Sequence, residues 1–99
     1  MSFEVKILKR ADLELDEIYF YYDSISPELG EKFLIEYEDI LSTFEENPFF
    51  EVKYNIIRKK PFKKFPYSIH FSIDETEKKV FIEAISCDYQ DPNTTKVRT

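Results

Sequence analysis

The 99-residue sequence holds one cysteine, one glycine, one histidine and no tryptophan. A lone Cys87 excludes an intramolecular disulfide and any zinc site built from several cysteines. A lone Gly30 excludes the glycine-rich loops that cradle phosphates, which need several residues without a Cβ. No His, Cys, Asp and Glu spacing of a metal site is visible, so neither a metal nor a cofactor is expected. No apolar run nears the roughly 20 residues that span a bilayer, so no membrane partner is expected. The start, Met1-Ser2-Phe3-Glu4-Val5-Lys6, lacks the form of a signal peptide, and a soluble, reducing, cytoplasmic setting is expected.

Aromatic residues, by contrast, are abundant: ten Phe and seven Tyr, within a hydrophobic fraction of 42%. That is enough to build one core without staples, which excludes intrinsic disorder. The net charge of −6 argues against a binder of polyanions when taken whole. The two halves disagree, however. Residues 1–50 carry 13 acids and 4 bases, and residues 51–99 carry 7 acids and 10 bases. A functional reading has to account for that polarity.

Phe3, Val5 and Ile7 alternate with Glu4 and Lys6, the pattern of a short strand with one buried face. Ala11, Leu15, Ile18 and Tyr22 then form a single helical stripe, with Asp12, Glu14, Asp16 and Glu17 on the solvent side. Ser24-Ile25-Ser26-Pro27 interrupts it. Ser26 is placed to cap a second helix and Pro27 to occupy its first position. The second stripe is Leu29, Phe33, Tyr37, Ile40, Leu41 and Phe44, and Asn47-Pro48 ends it. A connection of a few residues makes the two helices an antiparallel hairpin.

The period then changes. Tyr54–Arg58 reads as a strand, Tyr67–Asp74 alternates as a second, and Lys79–Cys87 follows across a polar turn as a third. The expected fold is α+β in the order β-α-α-β-β-β, an antiparallel sheet packed on one face by the helical hairpin. Residues 1–92 are expected to form one domain, and 93–99 a flexible tail.

Arg58, Lys59, Lys60, Lys63 and Lys64 crowd into seven residues, interleaved with Phe62 and Phe65. Such a segment suits phosphates and stacked bases. A solvated loop anchored on the core by its two Phe is the plainer reading, since charge runs usually are solvated faces, and a dock for an acidic protein is a third. His70 falls on the polar face of its strand, where it is a candidate acid or base or simply sheet lining. Cys87, with no second histidine to activate it, reads as inert. The carboxylate pairs Asp16/Glu17, Glu38/Asp39 and Glu45/Glu46 read as solubilising.

Together these pieces resemble the RelE/ParE superfamily of toxins from type II toxin–antitoxin modules, also called plasmid stabilisation proteins. The resemblance runs from Val5–Arg10 through Leu15-Asp16-Glu17-Ile18, Tyr21-Tyr22, Ser26-Pro27, Phe33–Glu36 and Glu46-Asn47-Pro48. It continues through Phe65-Pro66-Tyr67-Ser68-Ile69 to Asp91-Pro92. It implies a bacterial, cytoplasmic toxin neutralised by a co-encoded antitoxin, whose flexible tail folds onto the helical hairpin and the exposed sheet edge. The pair Phe49-Phe50 is a candidate apolar patch for it.

One branch of that family cuts messenger RNA in the ribosome, and the other inhibits DNA gyrase by binding. The nuclease branch often carries arginine after the Pro-Tyr pair, where this chain has Ser68. It often has a histidine and paired arginines before Asp-Pro, where this chain has Cys87-Asp88-Tyr89-Gln90. The expected target-binding residues are Arg58, Lys60, Lys63 and Lys64. His70 and Tyr89 would handle protons if RNA is cut. Loss of the arginines favours a gyrase-type or other binding toxin, or one that has lost potency, over the ribonuclease. The gyrase-type toxin is the expected reading, with the ribonuclease and a degenerate toxin that only binds its antitoxin as alternatives. The oligomeric state is not legible from these residues.

Overall fold

The computed structural model describes residues 2–49, 52–54 and 56–88. Strand β1 (Glu4–Ile7) leads into helix α1 (Lys9–Ile25) and helix α2 (Pro27–Glu46). Strands β2 (Val52–Tyr54), β3 (Ile57–Pro61), β4 (Tyr67–Asp74) and β5 (Lys79–Cys87) follow. The expected α+β order is present, with one addition. The stretch expected as a single strand from Tyr54 to Arg58 reverses at its middle, so that Val52 pairs with Arg58 and Tyr54 with Ile57. A three-residue edge strand, β2, results.

The sheet order is β1-β5-β4-β3-β2. β2 to β5 run antiparallel, but β1 lies parallel to β5, Glu4 beside Lys79 and Ile7 beside Ile82. The sheet is therefore mixed rather than wholly antiparallel. A parallel pair needs a crossover connection, and here the helical hairpin begins it. No local turn signal announces a pairing between the two ends of the described chain.

Both helical stripes face the sheet as expected: Ala11, Leu15 and Ile18 from α1, and Phe33, Tyr37, Ile40 and Phe44 from α2 are buried. They meet Ile69, Phe71, Val80, Ile82 and Ile85 from β4 and β5. α1 continues through Ile25, so Ser26 alone joins the helices. Its N–H donates to the Tyr22 carbonyl, closing α1, and its carbonyl accepts the Leu29 and Gly30 N–H groups, opening α2. The Ser26 hydroxyl makes no capping bond, and the start of α2 rests on Pro27 in the first position. Gly30 marks the tightest contact of the hairpin. A Cβ there would sit 3.0 Å from Tyr19 Cε1 and 3.3 Å from the Asp23 Cα.

The aromatic surplus collects at one end of the core. The Phe33 ring stacks on Phe62 with centroids 5.0 Å apart and meets the edges of Phe65 at 5.3 Å and Tyr67 at 6.1 Å. Tyr22 completes the cluster, 4.9 Å from Phe65. At the other end Phe44 lies 4.1 Å from Phe71. Truncation of a buried Phe costs about 3–5 kcal/mol. Phe33→Ala is therefore expected to lower unfolding free energy by about that much, read as a fall in denaturant midpoint at unchanged slope.

Tyr37 is buried, and its hydroxyl has no hydrogen-bond partner among the described residues. Burial pushes its phenol up to about 12, and the negative charge of Asp12 adds to the shift. A buried hydroxyl without a partner is a net cost. Tyr37→Phe is expected to leave stability unchanged or to raise it by about 1 kcal/mol, a result thermal denaturation can check.

Candidate functional site

The basic segment is divided by the geometry of a strand. Arg58, Lys59 and Lys60 lie on β3, where successive side chains take opposite faces. Arg58 pairs with Phe71 and Lys60 with Ile69, which puts both on the helix side. The Arg58 guanidinium lies 5.6 Å from the centre of the Phe49 ring. Phe49 itself is 50% exposed and touches Phe3 edge-on, so it is half patch and half core; Phe50 lies outside the described residues. Lys59 pairs with His70 on the opposite, open face.

Lys63 and Lys64 occupy the turn that follows. The turn is closed by the Phe62 N–H, which donates to the Tyr67 carbonyl at 2.8 Å. The Glu36 carboxylate on α2 then accepts both the Lys63 N–H at 2.5 Å and the Lys64 N–H at 3.2 Å. Two successive amides holding one carboxylate form an anion nest, here filled from within the chain. Phe62 is buried and Phe65 partly so. Neither ring is presented to a base, so the two Phe act as core anchors. Arg58, Lys60, Lys63 and Lys64 thus share the helix side and its edge, while His70 stands on the other face. Tyr89 lies outside the described residues.

The open face of the sheet carries a row of polar pairs. The buried Ser68 hydroxyl lies 2.7 and 2.8 Å from the two Asp88 oxygens, and Lys59 Nζ approaches the same carboxylate at 3.5 Å. His70 Nε2 lies 2.7 Å from Ser86 Oγ. The Ser72 hydroxyl donates to Glu83 at 2.7 Å. β5 holds one extra residue opposite the step from His70 to Phe71, since His70 pairs with Ala84 and Phe71 with Ile82. Glu14, expected on the solvent side of α1, instead reaches the sheet there. Its carboxylate accepts the Ile85 N–H at 2.9 Å and meets Arg10 Nε at 3.4 Å. A cleft of about 500 Å³ opens between Arg10, Glu14, His70 and Ser86.

Among the described residues no cluster of His, Cys, Asp and Glu could hold a metal ion, and no helix is long and apolar enough to cross a membrane. The three carboxylate pairs read as solubilising, Asp16/Glu17, Glu38/Asp39 and Glu45/Glu46, are exposed.

A solved structure described as the chromosomal ParDE TA system from P. aeruginosa contains a chain that superposes on this one with a TM-score of 0.73. The match covers 87% of this chain and 96% of that one, at 21% identity. The two chains share a fold. The α+β order expected from the sequence is the order the chain adopts. No protein-family model and no curated protein matches the sequence.

Sequence reasoning missed Glu14 and Glu36, and met Asp88 only as a departure from the nuclease pattern, not as the partner of Ser68. Each is a single acid in an acid-rich chain, and only its position against a strand edge, a turn or Ser68 distinguishes it. His70 carries a further consequence. Burial, and then the Lys59 charge, hold its imidazole below its ordinary value of 6.5. The folded state therefore binds this proton less readily than the unfolded chain. Its contribution to stability is complete above about pH 6.5 and is lost as pH falls below that value. Between pH 7.5 and 5.5, His70→Gln is expected to lose less stability than the parent chain, as urea midpoints at the two pH values will show.

Proposed function

We propose that the chain is the toxin of a two-gene toxin–antitoxin module, a cytoplasmic bacterial protein that acts by binding a DNA-handling enzyme such as gyrase. A co-encoded antitoxin neutralises it. The shared fold with a ParDE chain supports the module. The observation that carries the choice of binding over RNA cleavage is the Ser68–Asp88 pair. The two places where the resemblance to the nuclease branch asks for positive charge are filled by residues that bond to each other. The pair puts a carboxylate on the open face of the sheet, and a carboxylate disfavours the charge that builds on a phosphate during cleavage. Lys59, the cation nearest that point, is drawn to the same carboxylate. The remaining cations of the segment lie on the helix side or in the turn, away from His70.

The antitoxin has a place to add a strand. β1 pairs with β5 only as far as Ile82, and beyond it the Ile85 N–H is held by a side chain, that of Glu14. An antitoxin segment pairing there would take over this N–H from Glu14, in the manner of β-strand addition.

Expression of the chain without its antitoxin is expected to arrest growth with messenger RNA intact, and the purified chain to inhibit gyrase supercoiling. New message ends mapped by primer extension, with supercoiling unchanged, would replace this reading with the ribonuclease. Harmless overexpression would point to a chain that only binds its antitoxin.

A further inference from the structure

A second groove, of about 520 Å³, runs between α2 and the β3–β4 turn. Its floor is apolar: Ile35, 51% exposed, lies beside the buried Ile40 and the exposed Pro61. Lysines stand around it from both sides, Lys32 on α2 and Lys60, Lys63 and Lys64 on the strand and turn. Lys32 is paired within its own helix to Glu28 at 3.1 Å. Lys63 and Lys64 have no carboxylate within ion-pair distance among the described residues. Of the two acids that line the groove, Glu36 is occupied by their own backbone N–H groups, and Asp39 makes no ion pair with either lysine. The turn is thereby held against α2 with both ammonium groups available.

We propose that this groove docks an acidic, amphipathic segment of a partner protein, with an apolar side chain against Ile35 and Pro61 and carboxylates against Lys63 and Lys64. Charge complementarity selects the occupant. In a chain of net charge −6, with 13 acids in its helical half, two unpaired lysines beside an apolar floor mark a place where an acidic partner is attracted rather than repelled. A nucleic acid fits poorly, because Phe62 and Phe65 are turned into the core and cannot stack bases. An apolar anchor ringed by charge is the arrangement of a protein-binding groove. The identity of the partner, though not the existence of the groove, rests on the toxin reading, under which the segment belongs to the antitoxin.

The test is titration of the ¹⁵N-labelled full chain with a synthetic 14-residue peptide that repeats leucine every third or fourth position with glutamate between. A 12-nucleotide single-stranded RNA serves as the second probe. Peptide-induced shifts are expected in 32–43 and 60–64. Affinity should fall about tenfold or more in the Lys63→Glu/Lys64→Glu variant and stay unchanged in Lys9→Glu, with amide spectra confirming that both variants fold. No peptide shifts, shifts confined to other segments, or equal shifts from the RNA would each overturn the proposal. If a co-encoded antitoxin binds parent and Lys63→Glu/Lys64→Glu chains equally, the groove proposal fails and the toxin reading stands. If no such protein exists, the toxin reading fails and the peptide titration still decides the groove.

Discussion

The Phe33–Phe62 stack is the contact on which the working surfaces depend. It ties α2 to the turn after β3, and Phe65 and Tyr22 extend it to α1. Because both rings of the basic segment are spent on the core, the backbone between them must bulge outward. Its two N–H groups then settle on Glu36. Lys63 and Lys64 consequently project beside α2 instead of across the sheet. One aromatic contact thus determines which face of the molecule is positive, and it removes the stacking surfaces that a nucleic-acid reader would need.

The opposite face follows a different rule. There Ser68, His70 and Ser72 each find a partner on β5 or just beyond it, and Lys59 is drawn to Asp88. Polar groups in a sheet are retained when their bonds are satisfied, and this row is satisfied from within the chain. It holds the sheet together without gathering cations at one point. A chain that acts by binding needs shape and charge at its surfaces. It does not need a constellation that neutralises a phosphate in a transition state. The net charge of −6 is compatible with that division, since the acids lie mostly on the helices and the bases mostly on the sheet half.

The helices were legible because their stripes are long and regular. Ala11, Leu15 and Ile18, and Phe33, Tyr37, Ile40 and Phe44, repeat over several turns and are buried as a 3.6-residue period requires. β4 and β5 were legible by alternation and a local turn. The parallel pairing of β1 with β5 was not, because it joins residues far apart in the chain and leaves no local mark. The split of the Tyr54–Arg58 stretch was hidden for a related reason: Ile56 and Ile57 read as one apolar run, although Ile56 is 74% exposed at the reversal. At the site, Phe62 and Phe65 could be read either as base platforms or as anchors, and only their distance to Phe33 decides. Ser68 and Asp88 were each visible as departures from the family pattern. That they bond to each other depends on the register of β4 against β5.

Amide hydrogen exchange at Phe62, Lys63 and Lys64 tests the central claim most directly. If the aromatic stack and Glu36 hold the turn, these three N–H groups exchange slowly, with protection approaching that of the β4 amides of Ile69 and Phe71. Exchange of all three at the rate of an open chain would mean that the turn is not anchored. The rings of Phe62 and Phe65 would then be free to meet a nucleic acid, and the account of a protein-binding surface would be contradicted.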